Sequence, residues 1–305
     1  MNALDKAKPF FARAARPLDY ARWRYHFEGG PREAVLDALA DYQNADGGFG
    51  HALEPDSWNP NSSPMQTWTA TELLLEIGHT DNQHPLVQGI LRYLGSGRDF
   101  DGQSWAAVIA SNNDYPHAPW WRKGSESSSH HSYNPTASLA GFALVYADPG
   151  SELFETAKRI AGEAAEAYFA QGLLADMHTA LCYVRLMEYA ERAETDLPFE
   201  LSALQARLHE QVRYSLTADT AEWETGYVCR PSRFVRSPQS PFYADNRELS
   251  EFECGFLERT QQADGSWPVT WSWDAFEEEW PVSRLAWKAD IAIKNLLYLK
   301  GFARL

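Results

Sequence analysis

The sequence predicts an all-α fold of repeated helical hairpins, and three observations carry that reading. One turn recurs along the chain. Gln43-Asn44-Ala45-Asp46-Gly47-Gly48-Phe49 returns near the other end as Gln261-Gln262-Ala263-Asp264-Gly265-Ser266-Trp267, and a third version stands at Asp101-Gly102-Gln103-Ser104-Trp105. Long stretches also space their apolar residues as a helix does: in 64–78 these are Met65, Trp68, Leu73, Leu74 and Ile77. No stretch of comparable length alternates as a strand would. A short hairpin cannot bury its apolar face alone, so recurrence at intervals of several tens of residues implies that the copies stack.

In chain order, a weaker helical pattern spans 7–27, and 31–44 follows the turn Gly29-Gly30-Pro31-Arg32. Further helices are expected at 64–78, 84–96, 135–147, 151–170, 176–194, 198–216, 248–262 and 283–300. Ala147-Asp148-Pro149-Gly150-Ser151 is a short connection, whereas 47–63, 97–133 and 218–247 are long and polar. Long ordered loops in a compact domain are usually kept for function. Thr69-Ala70, Thr136-Ala137 and Thr179-Ala180 are expected to open inner helices, with the hydroxyl capping free amides; Trp287-Lys288-Ala289 is a degenerate fourth copy. The unit is therefore outer helix, Asp-Gly-aromatic turn, loop, inner helix. Repeated around an axis, it closes a double ring of helices with long loops over a central cavity, an α/α toroid, as one domain over residues 1–305.

With 44% hydrophobic and 13% aromatic residues, the 305-residue chain can build a sizeable core. Its net charge of −15 argues against nucleic acid and anionic lipid as partners, since both require a basic face. Cys182, Cys229 and Cys254 form no CxxC pair and leave an odd thiol, which suits a reducing compartment. The first residues lack the apolar core of a signal peptide, and no apolar run reaches the ~18 residues of a membrane span. A soluble, cytoplasmic protein without an integral membrane segment is expected.

The turns 43–49 and 261–267 resemble the QW repeats of the terpenoid cyclase and protein prenyltransferase superfamily. The resemblance covers roughly residues 20–300 and implies an α/α toroid whose Gln and aromatic residues tie neighbouring outer helices together. It assigns Gln43, Asp46, Gln262, Asp264 and Trp267 to scaffold. It also implies that the loops before the inner helices line the cavity. Those loops nominate His51, Glu54, Asp56, Trp58 and Asn59, then Asn112, Asp114, His117, Trp120, Trp121, His130, His131 and Asn134, then His178, and finally Glu222, Glu224, Tyr243 and Asp245.

Glu54, Asp56 and His117 are the catalytic candidates. Carboxylates two residues apart can converge and move one another's pKa, and a histidine carries protons near neutral pH. Substrate binding is expected from His51, Trp58, Asp114, Trp121, His130, Asn134, His178, Glu222, Tyr243 and Asp245, with flat Trp faces suited to a sugar ring or a carbocation. The chain lacks the AspXAspAsp acid motif, the AspAspXXAsp magnesium–diphosphate motif and a histidine downstream of Cys254 for the transferase zinc; no metal is expected and no cofactor is indicated. Three readings follow: a cyclase- or prenyltransferase-like protein acting on an isoprenoid, a carbohydrate-active hydrolase or lyase on the same scaffold, and a non-catalytic binding toroid. Oligomeric state is not legible.

Overall fold

The computed structural model describes residues 2–124 and 133–305. Among these the fold is all-α. The helices are α1 (Ala3–Ala14), α2 (Pro17–Phe27), α3 (Arg32–Ala40), α4 (Pro64–Glu76), α5 (Pro85–Gly95), α6 (Thr136–Tyr146), α7 (Glu152–Ala170), α8 (Met177–Ala190), α9 (Leu201–Ser215), α10 (Arg247–Thr260) and α11 (Trp280–Gly301). Among the described residues no helix is long and apolar enough to cross a membrane. The chain divides into two compact units: Ala40–Gln211, and Met1–Leu39 together with Val212–Leu305.

The unit Ala40–Gln211 is organised around α6. Ala137, Leu139, Ala140, Phe142, Ala143 and Leu144 are all buried, so this helix is apolar all round and must be covered on every side. Helices α4, α5, α7 and α8 supply the cover. Ser63, Ser151 and Asp176 cap α4, α7 and α8 by accepting backbone N–H groups of their first turns.

In the unit formed by the two ends of the chain, α11 packs against α1, α2 and α10. Phe11 stacks on Trp23 with ring centroids 4.4 Å apart, inside a core that includes Phe10, Trp267, Ile293 and Leu296. Arg22 is buried between Asp19 and Asp290, 3.0 Å from each, and so pins α2 to α11. The single helix expected over 7–27 is two. Arg16 is extended (φ −60°, ψ 156°) because the ring of Pro17 disfavours a helical residue before it.

The repeat turns are near copies of one another. Asn44 N–H donates to Gly48 O at 2.8 Å, as Gln262 N–H does to Ser266 O at 2.8 Å. Asp46 accepts from Gly48 N–H and the Ser62 hydroxyl; Asp264 accepts from Ser266 N–H and hydroxyl. Arg98 reaches the other oxygen of Asp46 at 2.8 Å, and Lys288 that of Asp264 at 2.8 Å. Gln43 Nε2 donates to Gly47 O and across to Leu86 O, in the first turn of α5. Its counterpart is Gln261, not Gln262: Gln261 Nε2 donates to Gly265 O and to Ala3 O, in the first turn of α1. Gln262 is exposed and only accepts from the Ser266 hydroxyl in its own turn. The third turn is looser. Asp101 accepts the N–H groups of Gln103 and Ser104, and Arg159 of α7 donates to Gly102 O.

The Thr-Ala pairs do not cap helices. Thr69 lies inside α4 and its hydroxyl returns to Met65 O, while Thr179 donates to the Asp176 side chain that does the capping. Thr67, outside those pairs, and Thr136, within one, share another role: Phe49 N–H donates to Thr67 Oγ1 and Trp105 N–H to Thr136 Oγ1, so the aromatic residues of the first and third turns are tied to α4 and α6.

Candidate functional site

The first long loop doubles back on itself before α4. His51 and Ala52 both take left-handed backbone conformations, with φ of 59° and 60°, which reverses the chain and delivers Glu54 to the N-terminal end of α4. Gln66, in the first turn of α4, holds it there. Its Oε1 accepts the Glu54 N–H at 2.7 Å and its Nε2 donates to Ser57 O at 2.9 Å. The second long loop then closes over the first as a short antiparallel pairing. Ser57 pairs with His117, Trp58 N–H donates to Pro116 O and Ala118 N–H donates to Asp56 O.

This pairing sets the backbone of His117 beside the loop that carries Glu54 and Asp56, and all three candidates are buried: Glu54 is 8% exposed, Asp56 2% and His117 8%. Glu54 Oε2 accepts Asp56 N–H at 3.1 Å and the Trp121 indole N–H at 3.0 Å. His117 Nδ1 lies 2.6 Å from Tyr115 O; a carbonyl only accepts, so Nδ1 donates this bond. A further chain of hydrogen bonds locks the loops. Asn59 Nδ2 donates to Ser111 Oγ and Asn112 Oδ1, and Asn112 Nδ2 donates to Trp121 O.

Beside Glu54 is a cavity of about 10 Å³, lined by Ser57, Ser63, Met65, Gln66, Ala107, Asn112 and Trp121. That is room for one water molecule, and all but two of the lining groups are polar. Among the described residues no three His, Cys, Asp or Glu side chains converge to hold a metal ion.

The other nominated residues fare differently. Trp58 and Trp121 are half-buried within the loop pair, Trp120 and Asp114 are exposed on its outside, and exposed His51 faces Asn44 Oδ1 at 2.9 Å. Asn134 accepts from the Cys182 thiol, and His178 is half-buried in the first turn of α8. Glu222, Glu224, Tyr243 and Asp245 lie in the unit formed by the chain ends. Both glutamates and Asp245 are exposed there, and the Tyr243 hydroxyl donates to Glu251. His130 and His131 fall outside the described residues.

Loop tryptophans divide between roles: Trp105, Trp223, Trp267 and Trp273 are core. All three thiols are buried, and burial pushes those of Cys229 and Cys254 up to about 11. The Arg230–Cys229 adjacency thus creates no reactive thiolate.

Sequence reasoning passed over one constellation on α4 and α8. Arg185 of α8 is buried with Glu72 of α4 and Glu188 one turn further along α8. The signal was present in Glu72 and Arg185, charged residues on largely apolar helices, but nothing in the sequence pairs α4 with α8.

No protein-family model matches this chain, and comparison with curated proteins finds no relative.

Proposed function

We propose that the paired loops 54–58 and 115–121 form an acid–base site that hydrolyses a polyhydroxylated, sugar-like substrate. The observation that supports this is the Ser57–His117 pairing, which joins the loop of two buried carboxylates, Glu54 and Asp56, to the loop of a buried imidazole, His117. In the proposal Glu54, an acceptor held by two N–H groups, activates a water in the one-water cavity beside it. Asp56 and His117 carry the proton to the leaving oxygen, Trp58 bears on the sugar ring, and Trp121 holds the Glu54 carboxylate. Paired carboxylates with a water between them and the substrate are the requirement of inverting glycoside hydrolysis.

A second reading keeps the isoprenoid-directed toroid. It is supported by the Gln43 and Gln261 turns, which each bind the next outer helix in the way the QW resemblance implies. A non-catalytic binding role rests on the same scaffold. One screen separates the three: chromogenic glycosides and neutral or acidic oligosaccharides against prenyl diphosphates with and without magnesium or zinc. The expected result is sugar release that Glu54→Gln and Asp56→Asn both abolish without lowering Tm by more than a few degrees. Turnover retained by both variants rules the site out. A response to prenyl diphosphates alone moves the reading to the isoprenoid toroid, and ligand stabilisation without turnover moves it to binding.

A further inference from the structure

On the inner helices α4 and α8 a guanidinium is buried with part of its donor set unused. Arg185 Nε lies 2.8 and 2.9 Å from the two carboxylate oxygens of Glu72, and Nη1 lies 2.9 Å from Glu188. In the usual forked pairing a carboxylate spans Nε and Nη2. Here both Glu72 oxygens sit on Nε, so Nη2 has no hydrogen-bond partner among the described residues, although the Arg185 side chain is only 10% exposed. An ion triad in such a place is hard to justify by stability, because apolar replacements of buried ion pairs are often neutral or stabilising. Nη2 is not sealed from solvent, so an accepting oxygen can reach it.

The surroundings define what could accept. Trp68 stands one helical turn before Glu72 on the half-exposed stripe of α4, and its indole N–H is fixed to Ser138 of α6 at 3.0 Å. Two carboxylates and one guanidinium leave the triad with net charge −1, in a chain of net charge −15, so a phosphate or carboxylate ligand is repelled. A neutral polyol satisfies every group. Its oxygen accepts from Arg185 Nη2, its hydroxyls donate to Glu72 and Glu188, and its carbon-bound face lies against the Trp68 ring.

We infer that Trp68, Glu72, Arg185 and Glu188 form a binding subsite for a neutral sugar ring. The inference deepens the hydrolase reading by naming the substrate as uncharged, and its test is separable from that of the Glu54 site. Glucose, galactose, maltose and cellobiose are titrated into the full chain, with indole fluorescence and calorimetry as readouts. Wild type and Glu54→Gln are expected to bind with the same Kd, whereas Glu188→Gln weakens binding at least tenfold. Trp68→Phe is expected to remove the fluorescence response and weaken binding severalfold. Glu188→Gln keeps side-chain volume and Trp68→Phe keeps an aromatic ring, and an unchanged Tm shows that the fold is intact. Because Arg185→Met can unfold the chain by stranding Glu72, the half-buried Glu188 and Trp68 carry the test. Binding unaffected by Glu188→Gln and Trp68→Phe overturns the subsite while leaving the Glu54 reading in place. Absence of binding by any neutral sugar overturns the subsite, and hydrolysis lost in Glu54→Gln with sugar binding retained isolates the two.

Discussion

Gln261 Nε2 donates to Ala3 O over 2.8 Å and so ties the last repeat turn to the first helix of the chain. Gln43 makes the matching bond to Leu86 O at 3.0 Å, in the first turn of α5. Each amide also closes its own turn, so its removal strands two carbonyls that belong to different helical hairpins. Gln43→Ala and Gln261→Ala are each expected to destabilise by about 1–3 kcal/mol, the range for unsatisfied partly buried acceptors. Gln262→Ala is expected to stay within about 0.5 kcal/mol, as surface substitutions do. Chemical denaturation of the three variants checks the order, and equal losses at Gln261 and Gln262 would refute the assignment.

The turns' glycines make a second comparison. Gly47 and Gly265 adopt φ of 93° and 91°, and a Cβ on either would stand 2.1 Å from a carbonyl oxygen, Gly89 O or Lys6 O. Gly102 shares the conformation, with φ of 96°, but faces open space. Gly102→Ala is therefore expected to cost about 1–2 kcal/mol of backbone strain alone. Gly47→Ala and Gly265→Ala must also push the turn away from α5 or α1 and are expected to lower Tm considerably further. Thermal melts of the three variants read this directly.

The same turns show how far the sequence could be read. Asp-Gly-aromatic signatures and helical spacing carry local information, so helices and turns were legible from them. Which of two adjacent glutamines points at the next helix depends on the turn's backbone, and Gln262 was favoured over Gln261 because composition does not reveal direction. Pro17 did announce the break between α1 and α2, since its ring constrains Arg16, but the apolar period ran on across it. At the candidate site, Glu54 and Asp56 were readable as a spaced pair. The partnership of Ser57 with His117 was not, because it depends on how two long loops close. Arg185 with Glu72 was invisible for the same reason: the contact joins α4 to α8, with α6 packed against both.

A pH dependence follows from Glu253. Burial raises its carboxyl above the usual 4.5, although Arg230 and two bonds from Ser232 pull the other way. A raised folded-state pKa means that the folded chain binds this proton more tightly than the unfolded chain does. Below about 4.5 both states are protonated and no penalty exists; as pH rises through the raised value the penalty grows to its full size. Glu253→Gln is expected to remove that share of the slope, so its Tm should decline less than wild type between about pH 4.5 and 7. Parallel pH profiles for the two proteins would show that Glu253 ionises normally in the fold.

The two supports of Glu54 are expected to differ in strength. Gln66 is 2% exposed and serves both Glu54 N–H and Ser57 O, so Gln66→Met leaves one buried donor and one buried acceptor unmatched. The expected loss is about 2–4 kcal/mol, roughly twice that of a single unsatisfied group. Trp121 gives Glu54 only one indole N–H, and the carboxylate keeps its bond from Asp56 N–H. Trp121→Phe retains the ring and is expected to cost about 1 kcal/mol. If Glu54 works on a water in the small cavity, Trp121→Phe should lower kcat while leaving KM for the sugar nearly unchanged, because the indole holds the catalytic carboxylate. A change in KM with kcat intact would instead place Trp121 against the substrate ring.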